Sequence, residues 1–201
     1  MDDVWVWIGL AVGYLSGSVP YGLLFTRMAG MGDVRSIGSG NIGATNVLRT
    51  GNKGVALATL LGDALKATVP VLVLFFGFGS YSGALAAGIA ALIGHCFPVW
   101  LGFKGGKGIA TYVGTLVGFA ALGVWALLVC FAAVWLGIAF ATRYSSLAAL
   151  VATVLVPLLA AWLGLTAMAF VLAAMALVAW VKHRENISRL LSGTETKIGA
   201  K

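Results

Sequence analysis

Charged residues are scarce in this 201-residue sequence: Asp, Glu, Lys and Arg make up 9% of it, whereas 61% is hydrophobic. A soluble globular domain carries about 25% charged residues, so this composition excludes a soluble protein and predicts an integral membrane protein. Apolar blocks run from Val4 to Val181, which leaves no room for a separate soluble domain. We therefore expect residues 1–201 to form a single integral-membrane domain.

Cysteine and histidine are also scarce, with two residues of each. Cys96 and Cys130 are too few for a disulfide framework, and two histidines offer no metal-ligand spacing. We expect no metal, no cofactor and no nucleic-acid partner. A basic n-region is lacking too, because the chain starts Met1-Asp2-Asp3. The apolar run that follows is therefore predicted to be a retained first span and not a cleaved signal.

The apolar runs predict an all-α polytopic fold with seven transmembrane helices. About 20 residues of helix cross the hydrocarbon core of a bilayer, so residues 4–25 form one span. The stretch 53–104 is too long for one span, and 107–143 and 143–182 are each about twice that length. Turn signals interrupt them at residues 77–83, at residues 121–123 and at Gly164. Each stretch therefore predicts a helical hairpin, and one span plus three hairpins gives seven.

The basic residues predict the orientation of these spans. Loops rich in Lys and Arg stay on the cytoplasmic side, and all but one of the basic residues fall on one side of the predicted spans. These are Arg27, Arg35, Arg49, Lys53, Lys104, Lys107, Arg143, Lys182, Arg184, Arg189, Lys197 and Lys201. We therefore expect a bacterial inner-membrane protein with a periplasmic N-terminus, a cytoplasmic C-terminus and its polar chemistry facing the cytoplasm. Topology and attraction to anionic lipid headgroups explain most of the +7 net charge.

The first predicted cytoplasmic loop contains GSGNIGATNVLR at residues 38–49. Its glycines let backbone N–H groups approach an oxyanion, Ser39 and Thr45 offer hydroxyls, and Arg49 can bind a phosphate through two nitrogens. The glycine spacing also fits the dinucleotide fingerprint. That motif requires a βαβ unit, whereas a transmembrane helix follows here. The loop predicts an anion site, and a helix cap with a tight turn is the alternative.

The second loop reads LGFKGGKG at residues 101–108 and leads directly into an apolar helix. A glycine-rich loop at a helix N-terminus favours phosphate, because unpaired N–H groups and the helix dipole both face the anion. It is not a Walker A loop, since Gly108 stands where Ser or Thr should follow Lys107. This disfavours nucleotide hydrolysis. The alternative is a flexible basic turn at the membrane surface.

The third polar segment, KHRENISRLLSGTE at residues 182–195, continues the last span into a cytoplasmic helix. His183 and Asn186 are three residues apart and share a helix face. Together they predict a functional role near the two anion loops. Glu185 and Arg189 are four residues apart, so we expect them to pair along the helix.

Two further polar groups are placed by the sequence without a settled role. Asp63 and Lys66 lie three residues apart inside the second span, where ionisable groups pair with each other or face a polar interior. A structural pair and a contribution to the site both fit. Ser145 and Ser146 follow the turn at Arg143, where they cap a helix or reach the same site.

Taken together, these segments closely resemble the bacterial membrane glycerol-3-phosphate acyltransferases that use acyl phosphate as donor. The resemblance covers essentially the whole chain and rests on residues 38–49, 94–108 and 183–190. It implies transfer of a fatty acyl group from acyl phosphate to the sn-1 hydroxyl of glycerol 3-phosphate, giving lysophosphatidic acid and phosphate. Both substrates, the membrane lipids and, as a functional neighbour, a soluble enzyme that makes acyl phosphate are the implied partners.

The resemblance also implies the site residues. It assigns catalytic roles to Ser39, Arg49, Lys104, His183 and Asn186. Substrate binding falls on Thr45, Asn46, Gly105, Gly106, Lys107, Gly108, Ser146 and Lys66. Which phosphate occupies which loop stays open, as does whether His183 is a general base or orients the substrate.

Two other classes of function compete with this interpretation. An anion transporter or lipid flippase would also be basic and polytopic, but such proteins hold their site near the midplane of repeated halves, and no internal repeat is evident here. An acyltransferase that uses acyl-CoA or acyl carrier protein is disfavoured because neither His95 nor His183 is followed at the fifth position by Asp.

Overall fold

The computed structural model describes residues 2–199, with side chains from Val4 onward, and the regular structure in this part of the chain is helical. Ten α-helices follow one another: α1 (Asp2–Gly17), α2 (Tyr21–Met28), α3 (Ala44–Leu48), α4 (Lys53–Leu72), α5 (Tyr81–Cys96), α6 (Ile109–Ala121), α7 (Trp125–Thr142), α8 (Ser145–Trp162), α9 (Thr166–Lys182) and α10 (Arg184–Leu191). Short 3₁₀ turns lie at Val34–Ser36 and Val99–Leu101, and Val73–Gly77 is π-helical. The predicted all-α fold is confirmed.

Five helical stretches in the described chain are long and apolar enough to cross a membrane: Val4–Met28, Lys53–Gly77, Tyr81–Leu101, Trp125–Thr142 and Ser145–Trp162. The helices α9 and α10 form a sixth if they count as one span bent by 64°. The apolar helix α6 is 13 residues long, shorter than a full crossing. The turns expected near residues 77–83, 121–123 and 164 all occur between helices. The count of seven spans and the orientation of the termini stay predictions.

The chain divides into two compact units, Met1–Gly118 and Phe119–Lys201, and the expectation of a single domain stays a prediction. In the first unit, α1 and α5 pack at very short range through small residues. A Cβ added at Gly13 would lie 2.4 Å from the carbonyl oxygen of Ala87, and one at Gly17 would lie 2.1 Å from that of Ala91. Apolar side chains gain no hydrophobic driving force from helix contact inside a bilayer, so close backbone approach is what holds such helices together.

Two backbone carbonyls near prolines of the first unit accept hydrogen bonds from side chains of other helices. Pro70 lies inside α4 and has no N–H to donate to the carbonyl of Lys66. The hydroxyl of Ser16 donates to that carbonyl instead, at 2.8 Å. Between α1 and α2, before Pro20, the carbonyl of Val19 accepts a hydrogen bond from the Lys66 ammonium at 3.0 Å. These hydrogen bonds satisfy carbonyl groups that would find no donor in the lipid.

In the second unit, α8 packs against both α7 and α9. The chain passes from α7 to α8 in two residues because Arg143 adopts a left-handed conformation, with φ of 62°. The indole Nε1 of Trp180 in α9 donates to the carbonyl of Leu150 in α8 at 3.3 Å. A sharp bend at His183 then separates α9 from α10 and places the third polar segment at the end of this unit.

Candidate functional site

The first loop is anchored by a small apolar cluster of its own. Val34, Ile42 and Val47 of the loop are buried against Leu23 of α2 and Ala56 of α4. Leu101, four residues before the glycine loop (residues 105–108), packs on the same cluster. Burying five such side chains stabilises the loop by several kcal/mol, at roughly 1.5–3 kcal/mol for each large one. The polar residues between them are thereby held in place while Ser39, Thr45 and Arg49 remain exposed.

Asn46 organises the polar part of this loop. Its side-chain nitrogen shares its two protons among the carbonyl oxygens of Val34 (2.9 Å), Ile37 (3.0 Å) and Asn41 (2.8 Å). Its side-chain oxygen accepts from the backbone N–H of Ser39 at 3.1 Å and from the Ser39 hydroxyl at 3.3 Å. Asn46 is 1% exposed. The amide predicted to bind substrate is therefore committed to the loop, and it acts by fixing the position of Ser39.

Arg49 lies against the same framework, with Nη1 3.5 Å from the Asn46 side-chain oxygen. Gly38 has φ of 56°, and a Cβ there would lie 2.8 Å from Cδ and 2.9 Å from Nη1 of Arg49. Gly38 is thus needed both for a left-handed backbone and for the space taken by the arginine. The Ser39 hydroxyl and the Arg49 guanidinium converge on one buried asparagine, an arrangement suited to a phosphate group.

The glycine loop packs flat on the C-terminal end of α5. Gly105 N–H donates to the carbonyl of Cys96 at 3.2 Å, and Gly106 N–H donates to the carbonyl of His95 at 3.1 Å. A Cβ at Gly106 would lie 2.2 Å from His95 Nε2, and one at Gly108 would lie 2.9 Å from a methyl group of Leu92. These two N–H groups therefore bind protein carbonyls, so the loop offers an anion its flanking Lys104 and Lys107 and the first turn of α6.

A fully buried ionic cluster lies directly behind this loop. Lys66 Nζ is 2.7 Å from Asp63 Oδ1 and 2.8 Å from His95 Nδ1, and it also donates to the Val19 carbonyl. The side chains of Asp63, Lys66 and His95 are 1–3% exposed. The pairing of Asp63 with Lys66 is confirmed. The three protons of the ammonium all have protein acceptors. Lys66 therefore stabilises the first unit, and its ammonium has no proton left for a substrate.

In the second unit the polar residues converge on one carboxylate. Glu195 Oε1 accepts from the Ser146 hydroxyl at 2.8 Å and from Asn186 Nδ2 at 2.6 Å, and its Oε2 accepts from Arg189 Nε at 2.7 Å. Burial alone would raise the pKa of Glu195, but these hydrogen bonds outweigh it and hold the pKa below its ordinary value. The segment that follows α10 is thus fixed to the start of α8.

These contacts correct two expectations about the second unit. Arg189 pairs with Glu195 and not with Glu185, because the chain turns back at Gly193, with φ of 72°. Ser146 does not cap α8, whose N-cap is Tyr144 without a side-chain hydrogen bond. Its hydroxyl binds the tail instead.

His183 is buried at the bend between α9 and α10, and its tautomer follows from its contacts. Nδ1 lies 2.7 Å from the carbonyl oxygen of Ala179, which can only accept, so Nδ1 carries a proton. In the neutral ring, Nε2 is then an acceptor. Such a nitrogen can accept a hydrogen bond, or a proton, from a substrate hydroxyl.

Sequence reasoning missed the roles of His95 and Glu195. A weak signal for His95 was its place at the end of a span, three residues before Pro98 and ten before Gly105. Its partners Asp63 and Lys66 lie some thirty residues earlier in the chain. Glu195 lies two residues after Gly193 in the C-terminal tail, where the sequence suggests an ordinary solvated charge. Among the described residues, no group of three or more His, Cys, Asp or Glu side chains could hold a metal ion.

Comparison with known proteins gives concordant matches over nearly the whole chain. A family model described as glycerol-3-phosphate acyltransferase matches residues 7–193. A glycerol-3-phosphate acyltransferase of Allorhizobium ampelinum is 60% identical over 195 residues, covering 96% of this chain and 91% of the relative. One of Mesorhizobium japonicum is 58% identical over 194 residues, covering 96% of both.

Two solved structures match the fold as well. The crystal structure of PlsY (YgiH), an integral membrane glycerol 3-phosphate acyltransferase, in its glycerol 3-phosphate form has 35% sequence identity and a TM-score of 0.88, and the match covers 96% of each chain. Its lysophosphatidic acid form has 34% identity and a TM-score of 0.86, covering 96% of this chain and 95% of that one.

Proposed function

This chain belongs to the glycerol-3-phosphate acyltransferase family, and we propose that it transfers a fatty acyl group from acyl phosphate to the sn-1 hydroxyl of glycerol 3-phosphate. The products are lysophosphatidic acid and inorganic phosphate. In this proposal, the chain carries out the first acylation of phospholipid biosynthesis at the bacterial inner membrane. A soluble enzyme that forms acyl phosphate supplies the donor.

The observation that carries the proposal is the framework around Asn46. It presents one hydroxyl, on Ser39, and one guanidinium, on Arg49, beside a backbone shaped by glycine. Two phosphate dianions require cationic side chains whose positions are fixed in advance, since electrostatic stabilisation is strongest where the charges do not reorganise. Arg49 can meet a phosphate through two nitrogens, while the exposed Lys104 supplies a point charge.

The remaining site residues are assigned by the contacts that each one makes. Asn46, Gly105 and Gly106 act by holding the loops, because their amide groups bind other parts of the first unit. Thr45 and Lys107 with Gly108 are proposed as substrate contacts of the two loops. In the second unit, His183, Ser146 and Asn186 are proposed to bind glycerol 3-phosphate, the last two by exchanging their hydrogen bonds to Glu195 for bonds to the substrate.

The proposed reaction needs no dedicated protein base. The sn-1 oxygen attacks the acyl carbonyl carbon, an ester bond forms, and the bond from that carbon to the phosphate oxygen breaks. The hydroxyl proton passes to a phosphate oxygen, whose second pKa near 6 makes it a competent acceptor. His183 orients the hydroxyl through Nε2, and the protein contributes placement and charge neutralisation.

The donor is tested with purified protein in detergent or liposomes, glycerol 3-phosphate, and either acyl phosphate or acyl-CoA of the same chain length. We expect release of phosphate and formation of lysophosphatidic acid from acyl phosphate, and no turnover of acyl-CoA. Arg27→Lys, a change at an exposed arginine of α2, serves as a control of unchanged activity. Efficient use of acyl-CoA would overturn the donor assignment.

The proposed orientation has a periplasmic N-terminus and a cytoplasmic site. Cysteines introduced at Phe78 and Leu163, both exposed at turns between helices, should react with a membrane-impermeant maleimide in intact cells. Cysteines at Ser36 and Ser192 should react only after permeabilisation. The reverse pattern would invert the topology.

A further inference from the structure

We propose that His95 is a positioning residue that fixes the glycine loop, residues 105–108, for binding of a substrate phosphate. The buried Asp63–Lys66 pair holds the His95 ring in the required tautomer. This inference rests on the proposed function and extends it to three residues inside the membrane-spanning helices.

The tautomer of His95 follows from the two groups that its Nδ1 approaches. Lys66 Nζ lies 2.8 Å from Nδ1, whereas Asp63 Oδ1 lies 3.5 Å away, so the contact with Lys66 is the hydrogen bond. An ammonium group only donates, and the other two protons of Lys66 go to the Val19 carbonyl and the Asp63 carboxylate. Nδ1 therefore accepts, and the neutral ring carries its proton on Nε2. With Lys66 positive and Asp63 negative, the cluster as a whole is neutral, which suits its burial.

The protonated edge of the ring faces the glycine loop. A Cβ built at Gly106 would lie 2.2 Å from His95 Nε2, 2.9 Å from Cε1 and 3.1 Å from Cδ2, so the loop backbone rests on this edge. The His95 carbonyl also accepts the N–H of Gly106 at 3.1 Å. The same residue thus holds the loop by its main chain and bounds it by its side chain.

The loop has little freedom once it rests on α5. At Gly105 a Cβ would lie 2.1 Å from the His95 carbonyl oxygen, and at Gly108 it would lie 3.1 Å from the sulfur of Cys96. This short segment sets the positions of the flanking Lys104 and Lys107 and of the first turn of α6. A shift of His95 would displace all of them together, and misplacement by about 1 Å can cost about 100-fold in an enzyme.

The test is a double-mutant cycle between His95 and Gly106, with kcat and the KM for each substrate measured separately. The KM considered below is that of the substrate whose phosphate binds the loop. His95→Asn keeps an acceptor for Lys66 but removes the edge of the ring that carries Nε2. Alone, it should raise the KM about tenfold, which corresponds to about 1.4 kcal/mol, and leave kcat within about threefold. Gly106→Ala should do the same, while in the His95→Asn background it should add less than about twofold.

Two further variants separate positioning from a loss of stability. His95→Gln, whose amide reaches as far as Nε2, should recover most of the wild-type KM. Gly88→Ala is the matched control: Gly88 lies on α5 two turns before His95, and its Cβ would lie 2.6 Å from Thr115 Cγ2 of α6. It should lower the unfolding temperature without changing the KM.

The outcomes discriminate clearly. Additive effects in the cycle, or a KM for His95→Asn equal to wild type, would overturn the positioning role. The substrate whose KM rises identifies the phosphate that this loop binds, and a fall in kcat with both KM values unchanged would overturn the positioning role. If His95→Asn does not accumulate, the cycle runs from His95→Gln, where persistence of the full Gly106→Ala effect is expected and its loss would refute the inference. A wild-type enzyme inactive with acyl phosphate would instead refute the proposed function.

Discussion

Removal of the Lys66 ammonium should be among the most destabilising single changes in this protein. The side chains of Lys66 and Asp63 are 1% and 2% exposed, and their charged atoms are 2.7 Å apart. Lys66→Met leaves the Asp63 carboxylate buried without its cation, and breaking a buried pair in this way costs about 3–5 kcal/mol. The Val19 carbonyl and His95 Nδ1 also lose their donor. We expect a loss of at least about 3 kcal/mol in the free energy of unfolding.

The double variant Asp63→Asn/Lys66→Met makes the prediction specific to charge. It removes both charges and leaves only neutral orphan groups, whose desolvation costs about 1–3 kcal/mol. It should therefore be more stable than Lys66→Met alone, although it carries one substitution more. In other proteins, replacing both members of a buried ion pair by neutral residues costs less stability than removing one member alone.

Unfolding in mixed micelles, followed by a change in helix signal or by protease susceptibility, measures these differences. Lys53→Met, at the exposed start of the same helix, is the matched control and should change stability by less than about 0.5 kcal/mol. A loss below about 1 kcal/mol for Lys66→Met, or a double variant less stable than the single, would refute the buried-pair reasoning.

Three more outcomes follow from the site. Arg49→Lys should lose most activity although the charge is kept, because one ammonium cannot replace two converging nitrogens; activity near wild type in the acyl phosphate assay would reduce Arg49 to a point charge. His183→Gln and His183→Asn should retain more activity than His183→Ala and keep the shape of the pH–rate profile, whereas an equal fall of about 10²- to 10⁴-fold in all three would identify a general base. Since the folded-state pKa of Glu195 is lowered, the carboxylate stabilises the docked tail above its ordinary pKa of 4.5, and that stabilisation disappears as the pH falls through the lowered value. In the wild-type protein, protease cleavage of the tail should increase in that acidic window. In Glu195→Gln, cleavage should already be increased at neutral pH. Equal resistance of the two tails at neutral pH would contradict the role of Glu195 in docking the tail.

The helical architecture was predictable because a bilayer leaves the backbone few alternatives. Apolar length and turn residues located every helical hairpin, including the turn at Gly164. Interruptions inside the spans were harder to foresee. The break before Pro20 and the π-helical turn at Val73–Gly77 depend on which neighbours satisfy the freed backbone groups, and those neighbours are distant in sequence.

The site residues were predictable in type but not in function. Glycine, serine and arginine at residues 38–49 indicated an anion loop, yet the side chain of Asn46 binds the loop itself. Likewise, the N–H groups of Gly105 and Gly106 serve the end of α5. A sequence shows which donors exist, whereas only the fold shows which of them are already used. His95 and Glu195 escaped notice for the same reason.

The contact between α1 and α5 also constrains how the chain is built. Gly17 meets Ala91, so the two partners are 91 − 17 = 74 residues apart in synthesis order. At about 5–20 residues per second, α1 waits roughly 4–15 seconds in or beside the membrane before its partner has been made. During that interval its glycine face must be covered by lipid or by the insertion machinery. The assembly of this unit therefore depends on a helix that persists alone before its packing partner arrives.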